Sequence, residues 1–135
     1  MQVNFDVVFR LFLSFQVAFC IHYVFTDEDK KQDSLILSSG NIESLDESLG
    51  DCKNLKTLDL SNNSIKLLPE SIGKLENLVE LHLEYNHIRH LPPQIGKLKN
   101  IEKIYIFHNF IEDLPDTIGD LSNLKELYLD NNQLK

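Results

Sequence analysis

The sequence predicts an α/β solenoid, in which short parallel strands stack on one side and short helical or irregular turns return the chain on the other. The main observation is an internal repeat of 23 residues, because Leu68, Leu91 and Leu114 each begin a copy of one eleven-residue segment. An L-x-x-L-x-L segment precedes each copy, and its alternation of apolar and polar residues is that of a half-buried strand. A fixed period of about 20–50 residues is typical of stacked repeats, which share one continuous core.

The 23-residue period divides the chain into an N-terminal segment, four full repeats and an incomplete fifth repeat. The segment covers residues 1–31, and the repeats cover residues 32–54, 55–77, 78–100, 101–123 and 124–135. The fifth repeat lacks its return segment, and an open end of a repeat stack normally needs a polar cap. We therefore expect the chain to be a fragment of a longer protein, with self-association through the uncapped C-terminal end as a further expectation.

The repeat pattern also assigns directions and turns within residues 55–77. Leu58 should point into the core, and the alternating Ser61 should face solvent. Pro69 restricts the backbone where the return turn begins, and Gly73 should end that turn with a positive φ. Cys52 occupies a column that other repeats fill with leucine, so we expect a buried thiol rather than a reactive one.

A column of asparagines closes the predicted strands. The column contains Asn63, Asn86, Asn109 and Asn132, and Gly40 breaks it in the first repeat. An asparagine amide offers donors and an acceptor, so stacked copies can satisfy backbone groups that the turning chain leaves unpaired. We interpret the column as a structural ladder rather than a ligand site.

Composition and charge narrow the classes of function. The chain has 135 residues, of which 25% are charged and 42% hydrophobic, as in one globular domain. Its net charge of −8 disfavours nucleic acid and anionic membranes as partners, since both require a basic surface. The sequence has no phosphate-binding glycine loop or nucleophile elbow, and the histidines from His82 to His108 fall in different columns. We therefore predict no enzyme activity, no cofactor and no metal.

The repeats resemble the leucine-rich repeats, with the pattern L-x-x-L-x-L-x-x-N-x-I/L-x-x-L-P-x-x-I-G-x-L-x-N over about residues 32–135. The 23-residue form with LPxxIG is similar to the subclass found in the Ras-suppressor, Scribble-like and plant Ras-group-related proteins. This resemblance implies a curved horseshoe with a concave binding face, and a role as an intracellular signalling scaffold or adaptor. The first repeat departs from the pattern, since Gln32, Gly40 and Asp46 replace the expected Leu, Asn and Pro.

The N-terminal segment does not follow the repeat. Residues 11–25 have only Ser14, Gln16 and His22 as clearly polar residues, but they are fewer than the ~20 residues that span a bilayer. Three interpretations are open: a cap over the first repeat, a signal peptide or anchor, and a sequence foreign to the folded domain. We interpret the charged residues 26–33 as a solvated link. The expected compartment is the cytoplasm, unless residues 1–25 are a signal or an anchor to a membrane.

The predicted concave face gathers aromatic and charged side chains in its last three repeats. The candidate partner-binding residues are Glu80, His82, Glu84, Tyr85, Lys103, Tyr105, Phe107, His108, Glu126, Tyr128 and Asp130. Exposed apolar patches ringed by polar groups mark interaction sites, so we expect Tyr105, Phe107 and Tyr128 to form one patch with an acidic rim. Such a rim favours a protein or peptide partner with some basic character.

We therefore expect a protein-protein interaction module, and two alternative hypotheses accompany this expectation. The first alternative is a secreted or membrane-tethered recognition domain, which requires that the N-terminal segment be cleaved or inserted. The second is the targeting domain of a larger enzyme, which requires a catalytic domain beyond Lys135.

Overall fold

The computed structural model describes residues 21–135, where seven short strands and five 3₁₀ helices follow the repeat. The strands are β1 (Ile21–Tyr23), β2 (Ser34–Ile36), β3 (Ile42–Leu45), β4 (Thr57–Asp59), β5 (Glu80–His82), β6 (Lys103–Tyr105) and β7 (Glu126–Tyr128). The 3₁₀ helices are Asp29–Lys31, Glu47–Asp51, Glu70–Lys74, Pro93–Lys97 and Asp116–Asp120. Three of these helices begin directly after the proline column, where the fixed φ of proline prepares the return turn.

Strands β2, β4, β5, β6 and β7 form one five-stranded parallel sheet in that order. Neighbouring strands are shifted by one repeat, so Thr57 pairs with Glu80 and Glu80 pairs with Lys103. The sheet on one side and the 3₁₀ helices on the other form a solenoid, and the predicted fold class is confirmed. Because the shift is one repeat, residues of the same sequence column lie side by side across the sheet.

The core lies between the sheet and the 3₁₀ helices and continues from repeat to repeat. Leu58, Leu60 and Ile72 of the second repeat are fully buried, and so is Cys52, as its leucine column predicts. Ser61 is only 5% exposed, although its position in the alternation was expected to be solvated. The expectation is wrong at this position because a serine is too short to rise above the longer side chains beside it.

The described part of the N-terminal segment packs onto the first repeat. Strand β1 pairs in parallel with β3 in a separate two-stranded sheet. Tyr23 and Phe25 are 3% and 2% exposed and belong to the core, and the Phe25 N–H donates to the Ser48 hydroxyl at 3.1 Å. Residues 1–20, which carry most of the predicted cap, signal or anchor, lie outside the described residues.

A hydrogen-bonded turn attaches the charged link to the core. The Asp29 carboxylate accepts hydrogen bonds from the Tyr23 hydroxyl at 3.0 Å and from the Thr26 N–H at 2.8 Å. The Asp29 N–H donates in return to the Thr26 hydroxyl at 3.2 Å. The link is therefore held in one conformation by Asp29, in addition to being solvated.

The glycine column allows close contact between successive 3₁₀ helices. Gly73 lies inside Glu70–Lys74, and no glycine in residues 21–135 has a positive φ, so the predicted role in ending the turn is wrong. A Cβ atom on Gly73 would lie 2.7 Å from the Gln94 carbonyl oxygen, and one on Gly96 would lie 2.5 Å from that of Thr117. Left-handed backbone occurs instead at Asn41 and in the column directly before the asparagines, at Ser39, Asn62, Tyr85, His108 and Asn131.

The asparagine ladder joins each repeat to the preceding one. The Asn86 side-chain oxygen accepts from the Ile65 N–H at 3.0 Å, and its amide donates to the carbonyls of Leu60 and Leu83 at 2.9 and 3.0 Å. Equivalent bonds are made by Asn63, Asn109 and Asn132. At the broken position, the Gly40 N–H donates to the Asn63 side chain at 2.9 Å. Each asparagine thus satisfies backbone groups in two repeats.

Gly96→Ala should lower the free energy of unfolding by about 1–3 kcal/mol, because the added Cβ overpacks against the Thr117 backbone. Gly119 is the matched control, since a Cβ there would have no neighbouring atom within 4 Å. Gly119→Ala should leave stability unchanged, or raise it by about 0.4–1 kcal/mol through the lower entropy of the unfolded chain. Urea unfolding measures both variants, and equal losses would contradict the close-contact role of the column.

Asn86→Ala should cost about 1–3 kcal/mol, because buried backbone groups would lose their partners. Asn100 provides the comparison, since its exposed amide donates only to the Glu76 carbonyl, at 2.7 Å. Asn100→Ala should therefore cost less than about 1 kcal/mol. The unfolding midpoints of the two variants in urea test the ladder, and identical midpoints would count against it.

Candidate functional site

Three aromatic side chains stack across strands β5, β6 and β7. The register places His82 beside Tyr105 and Tyr105 beside Tyr128. The ring centroids of His82 and Tyr105 are 4.4 Å apart at an interplanar angle of 8°, and those of Tyr105 and Tyr128 are 5.0 Å apart at 4°. Neighbouring strands lie ~4.8 Å apart, so rings in register meet face to face. This first ring group covers both faces of Tyr105 and leaves its edge available to a partner.

A second ring group, formed by Tyr85, Phe107 and His108, lies beyond the ends of the strands. The Tyr85 and His108 rings stack with centroids 4.5 Å apart, and Phe107 meets Tyr85 edge to face at 5.5 Å. Within residues 21–135, no ring contact joins Phe107 to Tyr105 or Tyr128. The patch that the sequence predicts is therefore divided into two ring groups, because Phe107 lies two residues farther along the chain than Tyr105.

The backbone of the second ring group adopts an uncommon conformation. Tyr85 and His108 have φ angles of 57° and 53°, in the left-handed region. A bulky residue adopts this region at a cost of about 1–3 kcal/mol. The same column holds Asn62 and Asn131 in other repeats, and asparagine tolerates this backbone better. Rings thus replace the residue type that the backbone prefers, and such local cost is typical of functional sites.

Carboxylates lie among the rings of the first group. The Lys103 Nζ is 3.2 Å from the Glu80 carboxylate and 3.9 Å from that of Glu126. The hydrogen bond with Glu80 and the charge of Glu126 raise the pKa of Lys103. The His82 ring lies 3.5 Å from Glu84 and 4.0 Å from Glu80. These acids are interleaved with the rings, so the predicted arrangement as an outer rim does not describe them.

The candidate residues differ in exposure. Tyr85 and Tyr128 are 47% and 40% exposed, whereas Tyr105 and Phe107 are half-buried by the neighbouring rings. Asp130 is exposed, and its side chain makes no ion pair or hydrogen bond with any residue in 21–135. The structure therefore brings ten of the candidates into the two ring groups and their carboxylates, and leaves Asp130 at the edge.

The sequence-based search passed over one further surface feature. A groove on the flank of the solenoid is lined by Lys66, Leu67, His87, Arg89, His90 and Phe110. The signal was present in the sequence, because Leu67 and Phe110 are apolar residues in columns that are otherwise polar. The predicted binding residues all belong to the concave face, and the histidines of this region were considered only as possible metal ligands.

Two observations concern metal binding and the state of the Cys52 thiol. No group of three or more His, Cys, Asp and Glu side chains in residues 21–135 is arranged to hold a metal ion. Burial raises the pKa of Cys52 to about 11, so its thiol stays protonated at neutral pH. In the same part of the chain, no helix has the length and apolar character needed to cross a membrane.

Comparison with known proteins identifies the repeat family. The leucine rich repeat family profile matches residues 33–88 and 76–134. A leucine-rich-repeat protein of Leptospira interrogans is 39% identical with a TM-score of 0.76, over 78% of this chain and 27% of that chain. The BIR3–SERK2 complex from Arabidopsis thaliana shows 31% identity and a TM-score of 0.67, over 75% and 56% of the respective chains. The plant peptide hormone receptor RGFR1 in complex with RGF2 shows 29% identity and a TM-score of 0.65, over 78% and 18%.

The parallel sheet and its return turns define a leucine-rich-repeat solenoid, and this chain belongs to the leucine-rich-repeat family. Domains of this family generally mediate protein-protein interaction. The chain spans about a quarter of the length of the Leptospira protein, with 27% covered. A comparison with curated protein sequences finds no significant match.

Glu126→Gln should lower the pKa of Tyr128. The Tyr128 hydroxyl donates to Glu126 at 2.7 Å, and this hydrogen bond, together with the carboxylate charge, raises the pKa of the phenol above its ordinary value of 10.0. The control is Glu102→Gln, which removes a carboxylate bound to Lys125 at 2.9 Å and should leave Tyr128 unaffected. NMR titration of the tyrosine ring carbons measures the pKa, and an unchanged Tyr128 curve in Glu126→Gln would contradict the contact.

Proposed function

We propose that this chain is an interaction module that binds a protein or peptide of basic character on the concave face, the solvent side of the five-stranded sheet. The observation that carries the proposal is the presence of two ring groups, the first of which is interleaved with carboxylates. Partly exposed aromatic side chains such as Tyr85 and Tyr128 supply much of the energy of protein interfaces. Since the faces of Tyr105 are covered, a partner would contact ring edges and hydroxyl groups, which favours a partner with hydrogen-bonding side chains.

The charge of the concave face supports a basic partner. Four of the eleven candidate residues are acidic, namely Glu80, Glu84, Glu126 and Asp130, and Lys103 is the one lysine or arginine among the eleven. The net charge of the whole chain is also negative, at −8. Lysine and arginine side chains of a partner would therefore be steered toward this face and would find both carboxylates and ring edges there.

Similar structures support a protein or peptide as the partner. One is a complex of the two proteins BIR3 and SERK2, and another is a peptide hormone receptor in complex with RGF2. BIR3, SERK2 and RGF2 are not proposed as partners of this chain. We extend to this chain only the class of partner, which is a protein or a peptide.

Two roles are compatible with such a module, and each has an observation in its favour. The LPxxIG form of the repeat favours a cytoplasmic signalling scaffold similar to the Ras-suppressor subclass. The likeness to the BIR2 ectodomain, at 26% identity and a TM-score of 0.66, favours a secreted or membrane-tethered recognition domain. N-terminal sequencing of the protein isolated from its cells distinguishes the roles. Removal of the residues before Ile21 supports secretion, and their retention in the cytosolic fraction supports the scaffold.

Tyr105→Ala and Phe107→Ala each remove one ring from a different ring group. Each variant should weaken binding of the partner about thirtyfold, which corresponds to about 2 kcal/mol for an aromatic anchor. The unfolding midpoints should change little, because neither ring belongs to the buried core. Glu70→Ala, on an exposed position of a 3₁₀ helix, is the control and should bind normally. Calorimetric titration with a partner identified by crosslinking measures the affinities.

Charge reversal tests the steering. Glu84→Lys and Asp130→Lys should slow association and reduce its dependence on salt, whereas the two alanine variants should act mainly on dissociation. Stopped-flow association at two salt concentrations separates these effects. Readily unfolding alanine variants, or a binding site that maps to Glu70, Gln94 and Asp116, would show that the concave face is not the site.

A further inference from the structure

The flank groove has a volume of about 480 Å³, is lined by residues that follow the asparagine ladder, and shares no lining residue with the two ring groups. Its lining residues come from three successive repeats and are Lys66, Leu67, His87, Arg89, His90 and Phe110. The groove therefore crosses the repeats at the same level of the solenoid, where the chain leaves the sheet and turns toward the 3₁₀ helices.

Two apolar side chains in the groove stand in polar columns. Leu67 is 66% exposed and Phe110 is 40% exposed, so neither side chain is required by the core. The Leu67 column otherwise contains Ser44, His90 and Asp113, and the Phe110 column otherwise contains Asn41, Ser64, His87 and Gln133. The repeat pattern does not explain these two residues, and their convergence on one groove points to an apolar contact with a ligand.

The charged side chains along this flank alternate in sign, except between Lys66 and Arg89. Along this flank, Glu43 lies 3.8 Å from Lys66, and Arg89 lies 3.7 Å from Glu112, which in turn lies 3.5 Å from Lys135. Charges of opposite sign thus face each other across every repeat boundary except one. At that boundary Lys66 and Arg89 are neighbours in the column, and a carboxylate between them would complete the alternation.

One column of backbone hydrogen bonds is open at this boundary and at the boundary before it. The Glu112 N–H donates to the Arg89 carbonyl at 3.2 Å, and the Lys135 N–H donates to the Glu112 carbonyl at 3.4 Å. Among the described residues, the corresponding bonds from the Arg89 N–H to the Lys66 carbonyl and from the Lys66 N–H to the Glu43 carbonyl are not made. An extended peptide segment supplies backbone donors and acceptors that suit such an opening.

We propose that the flank groove binds a peptide segment of a partner protein in which a glutamate or aspartate adjoins a leucine-sized apolar residue. The carboxylate would lie between Lys66 and Arg89, and the apolar side chain would lie against Leu67 and Phe110. The existing ion pairs of Lys66 and Arg89 are exposed and contribute little to stability, so both side chains can turn toward a ligand. An open groove suits a segment of a larger partner better than a small molecule, which binds in more enclosed sites.

The test uses the full chain and three acetylated hexapeptide amides. The first peptide contains one glutamate followed by one leucine among serines, the second replaces the glutamate with glutamine, and the third replaces the leucine with serine. In ¹H–¹⁵N NMR titrations, the first peptide should shift the amide signals of Lys66, His87 and Arg89 to saturation. The second and third peptides should bind at least about fivefold more weakly, because each lacks one of the two contacts.

Variants of the protein locate the contacts. Arg89→Gln and Leu67→Ser should each weaken the first peptide about fivefold or more, whereas Lys125→Gln, an exposed cation in an ion pair on another flank, should not. Tyr105→Ala should also leave this affinity unchanged, so failure of the concave face as a binding site is distinguishable from failure of the groove. Equal binding of the glutamine peptide, shifts confined to the ring groups, or no saturation would overturn the proposal.

Discussion

The hydrogen bonds of the asparagine ladder set the geometry on which the rest of the structure depends. Each ladder asparagine accepts from the N–H two residues beyond the preceding ladder position, and each donates to carbonyls of its own and the preceding repeat. These bonds permit one shift between repeats, because any other shift would leave buried donors and acceptors unpaired. Because neighbouring strands are shifted by one repeat, residues of the same column lie side by side. Leucines therefore stack in the core, glycines lie between the 3₁₀ helices, and rings stack on the sheet.

The fold was largely predictable from the sequence, because the period determines both the register and the core. The burial of Leu58 and Cys52 and the pairing of Glu80 with Lys103 follow from counting residues. The role of Gly73 was mistaken, since a column of glycines is equally consistent with a left-handed turn and with a close approach between neighbouring turns. The φ angle of Gly73, which is not positive, and its distance to Gln94 distinguish these two causes, and the sequence contains neither.

The sequence columns predict which side chains lie side by side on the sheet, but they do not predict how those side chains are arranged. The columns bring His82, Tyr105 and Tyr128 together, yet they do not show that stacking covers the faces of Tyr105. The flank groove was not predicted, because the candidate binding residues were taken from the solvated columns of the strands and Leu67 lies in the return segment. The two surfaces have opposite chemistry, since the concave face is acidic and aromatic and the groove pairs lysine and arginine with aliphatic and aromatic side chains. If both proposed surfaces bind, their partners would differ in charge, with a basic partner on the concave face and an acidic segment in the groove.

The first ring group also has a mechanical consequence. Its centroids are 4.4 and 5.0 Å apart, and atoms in contact repel below about 3.5 Å, so the stack can shorten by roughly 1 Å at the first step and roughly 1.5 Å at the second. Tighter curvature would compress the inner side of the sheet, and the rings resist it once this limited clearance is closed. Their counterparts on β2 and β4 are Ile36 and Asp59, which cannot form such a stack. Bending under load should therefore concentrate in the N-terminal repeats, while the last three strands move as one stiff unit.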